Sequence, residues 1–66
     1  MKVGVDVNQL KTKRVKKGLS QLEVAKQVKI DVRLYQRYEY NEREPKASIA
    51  IKLANILETT VEELFS

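Results

Sequence analysis

Arg33, Gln36, Arg37 and Tyr40 are the residues whose types and spacing point most directly to chemistry. On a helix they share one face, opposite Tyr35 and Tyr38. Arg and Gln carry forked donors that make two-point contacts to guanine and adenine edges in the major groove. Arg33 and Arg37 lie one turn apart, so both would enter the same groove. Tyr40 could reach a phosphate from the edge of that face. Lys13 and Lys17 would act as point charges near phosphate from the flank of another helix. An ordinary solvated helix surface has a similar composition, so this face does not decide function by itself.

Other chemistry is poorly provided for. The 66 residues contain no Cys and no His, which removes disulfides, thiolate and imidazole metal ligands, and the commonest general base. The two glycines, Gly4 and Gly18, are too far apart for a phosphate-cradling loop. An enzyme would be left with carboxylates, Lys, Ser and Tyr in a domain too small for a deep pocket. The expectation is therefore no enzyme, no cofactor, no metal and no small-molecule substrate. Apolar runs are too short for a membrane span or a signal-peptide core.

Charge is unevenly distributed. Thirteen basic and nine acidic residues give a net +4, but residues 1–37 carry a local +7 and residues 38–66 a local −3. A basic half suits a polyanion. An anionic membrane surface is the other candidate for the run 11–17. That helix, however, sets Thr12 and Lys16 opposite Val7 and Leu10 and has no large apolar face to insert. Nucleic acid is the better partner.

The elements that must position these residues read as five short helices in a single domain, residues 1–66. Asp6 with Gln9 resembles a capping box opening a first helix over 7–17, and Gly18 suits its C-terminal end. Ser20 with Glu23 is a second box, opening a helix at 21–28. Asp31 caps a third at 32–40, which Asn41 can end in left-handed geometry. The polar loop 42–45 leads to a fourth helix at 46–57, whose start is poorly marked. Thr60 with Glu63 is a third box, before a last helix at 61–65. A short helix followed by another rich in forked donors is the helix-turn-helix arrangement.

The apolar stripes supply a core. Val24, Ala25 and Val28 share one face, as do Ile49, Leu53, Ile56 and Leu57 with Ala50 and Ala54 beside them. Leu34, Tyr35 and Tyr38 form a third stripe, and Leu19, Ile30, Val61, Leu64 and Phe65 close the gaps. Arg14 and Glu39 fall on inward faces, where lone charges are costly. Either they pair with each other, or each side chain snorkels to water. Leu64 and Phe65 either complete this core or leave an apolar edge for a second copy.

The run Arg14-Val15-Lys16-Lys17-Gly18-Leu19-Ser20-Gln21-Leu22-Glu23-Val24-Ala25 resembles the Cro and phage-repressor, or XRE-type, helix-turn-helix domain. Tyr35-Gln36-Arg37-Tyr38-Glu39 is similar to the end of its recognition helix. Pro45 with Ile51-Lys52-Leu53-Ala54-Asn55-Ile56-Leu57, and then Val61-Glu62-Glu63-Leu64-Phe65, are similar to its fourth and fifth helices. The resemblance implies an all-α, compact five-helix bundle of the lambda-repressor-like class. It also implies transcriptional regulation as a homodimer on double-stranded DNA with two-fold symmetry, in the cytoplasm and associated with the nucleoid. Carried onto this sequence, it places Val32, Arg33, Gln36 and Arg37 at the bases and Gln21 at a phosphate. Arg43, in the loop after the third helix, is a further phosphate contact, flanked here by Glu42 and Glu44. Arg14 and Glu39 occupy positions that pair in several members. Lys29 stands where the turn often has Gly.

Two functions follow. The first is a sequence-specific DNA-binding regulator, most simply a repressor. The second is a protein-interaction module of the same fold, an antitoxin or bridging coactivator, in which DNA contact is secondary; the acidic half favours it.

Overall fold

A computed structural model describes residues 8–65. They form α1 (Leu10–Lys16), α2 (Gln21–Val28), α3 (Val32–Glu39), α4 (Ala47–Ile56) and α5 (Val61–Phe65), with no strand among the described residues. The fold is the expected all-α five-helix bundle. α2 packs on both α3 and α4, α4 packs on α5, and α1 bridges α3 and α5.

Local sequence explains where most helices start. Ser20 accepts from the Glu23 amide, and the Glu23 carboxylate accepts from the Ser20 amide at 2.8 Å, which satisfies donors that an isolated helix end leaves unpaired. The Asp31 carboxylate accepts from the Arg33 amide at 2.7 Å and fixes the start of α3. Thr60 caps α5 through the Glu63 amide at 3.1 Å, but the Glu63 carboxylate turns to the Thr59 hydroxyl at 2.6 Å instead of completing the box. Lys46 precedes α4 without a side-chain cap, in keeping with that helix's weak sequence signal.

The first helix starts later than its sequence pattern suggests. It begins at Leu10, and Gln9 sits at the N-cap without a side-chain cap bond. Asp6 and Val7 lie outside the described residues. Asn8 takes the capping role, accepting from the Leu10 amide at 3.0 Å. Its amide nitrogen donates to the Tyr38 carbonyl at 2.7 Å and to Asn41 Oδ1 at 3.1 Å. The Gln9 amide donates to the Leu64 carbonyl at 2.8 Å. Tertiary partners at the ends of α3 and α5 thus set the start of α1.

The first four helices end in the same way. Gly18, Lys29, Asn41 and Glu58 have φ between +55° and +74°. The amide after each bonds back across the last turn: Leu19 to Arg14, Ile30 to Ala25, Glu42 to Arg37 and Thr59 to Ala54. This is the Schellman closure. Glycine occupies only the first of the four positions. At Lys29 and Glu58 a side chain bears left-handed geometry at a cost of about 1 kcal/mol each.

Leu10, Val24, Val28, Tyr35, Leu53 and Leu64 form the fully buried centre, with Ala25, Ala54 and Leu57 packed among them. Tyr35 and Tyr38 are core residues, as their spacing predicts. Leu19, Ile30, Leu34, Ile49, Ile56, Val61 and Phe65 pack against this centre and remain half-exposed. Ala25 is buried on α2, the helix that packs on both α3 and α4. No helix among the described residues is long and apolar enough to cross a membrane.

Candidate nucleic-acid interface

Arg14 and Glu39 do pair. Arg14 Nε donates to Glu39 Oε2 at 2.7 Å and Nη2 to Oε1 at 3.3 Å, while Nη1 donates to the Leu19 carbonyl at 2.9 Å. The side chain of Glu39 is 1% exposed and that of Arg14 11%. Tyr35 Oη donates to Glu39 Oε2 at 2.7 Å, and Gln21 Nε2 donates to Oε1 at 2.9 Å. The carboxylate therefore receives donors from three helices.

These bonds decide its ionisation. Burial pushes the Glu39 carboxyl up, but the hydrogen bonds from Arg14, Tyr35 and Gln21 outweigh it and hold the group below its usual value. Arg14 is raised by its bond to Glu39, against the opposing effect of burial. Burial first, and then the bond to Glu39, push the Tyr35 phenol up. At neutral pH the centre is a carboxylate, a guanidinium and a neutral phenol.

The network continues outward. Gln36 Nε2 donates to Gln21 Oε1 at 3.0 Å, joining the first residue of α2 to the middle of α3. Gln21 Nε2 also lies 3.5 Å from Tyr40 Oη. Arg33, Gln36, Arg37, Tyr40 and Glu42 line one shallow concavity on the outer face of α3. Arg33 and Arg37 are exposed, Gln36 is half-buried, and Tyr40 is 58% exposed. The structure thus gathers three of the four residues expected at the bases, with Tyr40 at their edge.

The other expected contacts are placed differently. Val32 is half-buried and packs against the core, leaving only part of its side chain toward the solvent. Arg43 is exposed in the loop beyond Glu42. Lys13 and Lys17 do not join the α3 concavity; with Lys16, Leu57 and Glu58 they line a separate one. Lys17 Nζ lies 2.8 Å from the Glu58 carboxylate, which it holds below its usual range, and Lys13 Nζ lies 3.8 Å from Glu63. Each ammonium would therefore meet a phosphate with a carboxylate already beside it.

Sequence reasoning named Glu42 as a flank of Arg43, but not as part of the α3 concavity, where it places a negative charge. The Gln21–Gln36 bond joins residues 15 apart in sequence, and neither helix's own periodicity signals it.

The model of the helix-turn-helix family matches residues 10–64. The chain belongs to this family, as a DNA-binding regulator of the XRE type. Comparison with curated proteins gives no match.

Proposed function

We propose that the chain is a sequence-specific transcriptional repressor that reads DNA with the outer face of α3. The observation that carries this reading is the grouping of Arg33, Gln36, Arg37 and Tyr40 in one concavity, with Gln36 held from behind through Gln21. Arg33 and Arg37 grip guanine O6 and N7, and Gln36 reads adenine. Val32 packs its exposed part on a thymine methyl. Tyr40, Arg43 and Gln21, which opens α2, face phosphates; Lys13 and Lys17 do so with Glu63 and Glu58 beside them.

One such helix reads only a few base pairs. Two copies related by two-fold symmetry would read half-sites about 34–36 Å apart. Leu64 is fully buried and serves the monomer's core. Phe65 is half-buried beside a cleft lined by Pro45, Ala47, Ala50 and Val61, and supplies the edge for the second copy. Such a protein would act in the cytoplasm, on the nucleoid.

The second reading is a protein-interaction module. The pairing of α1 lysines with Glu58 and Glu63, and the presence of Glu42 beside α3, favour it because each reduces the field offered to phosphate. A gel shift titrated with salt separates the two. Phosphate neutralisation requires log affinity to fall linearly with log salt, with a slope near −0.9 per contact. Steep weakening with salt and retention on specific fragments support the regulator. Absence of any shift at low salt supports the interaction module.

A further inference from the structure

We propose that Glu39, a residue remote from the bases, sets which base Gln36 prefers. This rests on α3 being the reading helix and adds a positioning residue to that site. The geometry is a chain of three side chains: Glu39 Oε1 accepts from Gln21 Nε2 at 2.9 Å, and Gln21 Oε1 accepts from Gln36 Nε2 at 3.0 Å.

An ionised carboxylate has acceptors only. Glu39 therefore forces Gln21 to present its amide nitrogen inward and its oxygen toward Gln36. Gln36 must answer with its nitrogen. One N–H of Gln36 is consumed, and one N–H and the oxygen remain for the concavity lined by Arg33, Arg37 and Tyr40. One donor beside one acceptor complements adenine, whose N7 accepts and whose N6 donates.

Reversing the first link reverses the last. In Glu39→Gln the new amide oxygen takes the Oε2 place, where Arg14 Nε and Tyr35 Oη both donate at 2.7 Å. The amide nitrogen then takes the Oε1 place, where it loses the longer, 3.3 Å bond from Arg14 Nη2 and opposes the nitrogen of Gln21. Gln21 turns over to present its oxygen inward, and its nitrogen now donates to the oxygen of Gln36. Gln36 then holds its oxygen against Gln21 and turns its nitrogen, with both donors, to the groove, which suits guanine N7 and O6 and leaves adenine N6 unpaired.

The test uses the whole chain and DNA duplexes varied at one base pair, the pair whose preference is lost in Gln36→Ala. The unsubstituted protein is expected to prefer adenine over guanine there by about five- to 150-fold, the range of a good two-point contact. Glu39→Gln is expected to lose this preference or invert it, while the preferences that depend on Arg33 and Arg37 stay unchanged. A folded Glu39→Gln variant that keeps the adenine preference overturns the proposal.

If Glu39→Gln does not fold, the combined Arg14→Met, Tyr35→Phe, Glu39→Met variant replaces every member of the buried centre by an apolar group. Gln21 is then unconstrained, and the adenine preference should shrink to within about twofold of parity; an unchanged preference overturns the proposal. A protein with no base preference anywhere would instead refute α3 as the reader. The relay has its own readout without DNA. In the side-chain amide NMR spectrum of the free protein, one Gln36 Nε2 proton should be protected from exchange with water. Two unprotected protons would overturn the relay whatever DNA does.

Discussion

Replacing Arg14 by Met leaves the Glu39 carboxylate in a site where its side chain is 1% exposed, with only Tyr35 and Gln21 still donating to it. Breaking a buried pair in this way costs about 3–5 kcal/mol, because the surviving charge cannot be rehydrated. A domain of 66 residues is stable by roughly 3–10 kcal/mol, so much of that margin is lost. The expected fall in melting temperature is about 12–40 °C. The reverse change should cost less. Glu39→Met strands Arg14, but that side chain is 11% exposed and keeps its bond to the Leu19 carbonyl at 2.9 Å, so about 1–3 kcal/mol is expected. The double variant removes both charges and leaves the buried Tyr35 hydroxyl as the main unsatisfied group, again about 1–3 kcal/mol. The two single costs should therefore together exceed the double by about 4 kcal/mol, and by about 1 kcal/mol even at the unfavourable ends of these ranges. Urea melts followed by circular dichroism at pH 7 measure all four proteins. Single costs that add within about 0.5 kcal/mol would show that the charges act independently and would refute the reasoning.

Three further outcomes follow from the same contacts. The Glu39 carboxyl is held below its ordinary value of about 4.5, so its contribution to stability is present above that pH and is lost as pH falls through the folded-state value. The melting temperature should drop below about pH 4.5, and less in the Arg14→Met, Tyr35→Phe, Glu39→Met variant; equal acid limbs would contradict this. Lys29→Gly relieves left-handed geometry at the end of α2, and should raise stability by about 0.5–1 kcal/mol in the same urea assay. Glu42→Gln removes a negative charge from the rim of the α3 concavity and should tighten DNA binding, most at low salt; weaker binding confined to one base pair would instead make Glu42 a base reader.

Features that depend on neighbours in sequence were legible before the structure. The Ser20–Glu23 box, the Asp31 cap and the Gly18 terminus involve residues within one turn, and each appears where its pattern places it. The core stripes were legible for the same reason, since helical period alone aligns Tyr35 with Tyr38 and Leu53 with Leu57. Arg14 and Glu39 could be matched because charge on an inward face is rare and there were few candidates.

What escaped depends on how helices cross. Asn8 caps α1 while its amide holds the Tyr38 carbonyl, a partner 30 residues away. Glu58 takes positive φ although nothing in its residue type favours it, because the closure of α4 onto α5 requires that geometry. Lys17 looked free on α1 until the end of α4 brought Glu58 to 2.8 Å from it. The Gln21–Gln36 bond, which gives the candidate site its fixed amide, likewise exists only once α2 and α3 are packed.

Selection of bound duplexes from a random pool, run in parallel on the unsubstituted chain and on Arg33→Ala and Arg37→Ala, tests recognition through α3 most directly. The unsubstituted chain should return a two-fold symmetric motif, and each variant should lose guanine preference at its own position in both half-sites while keeping the rest. Identical motifs from all three proteins, with only a uniform loss of affinity in the variants, would contradict the account.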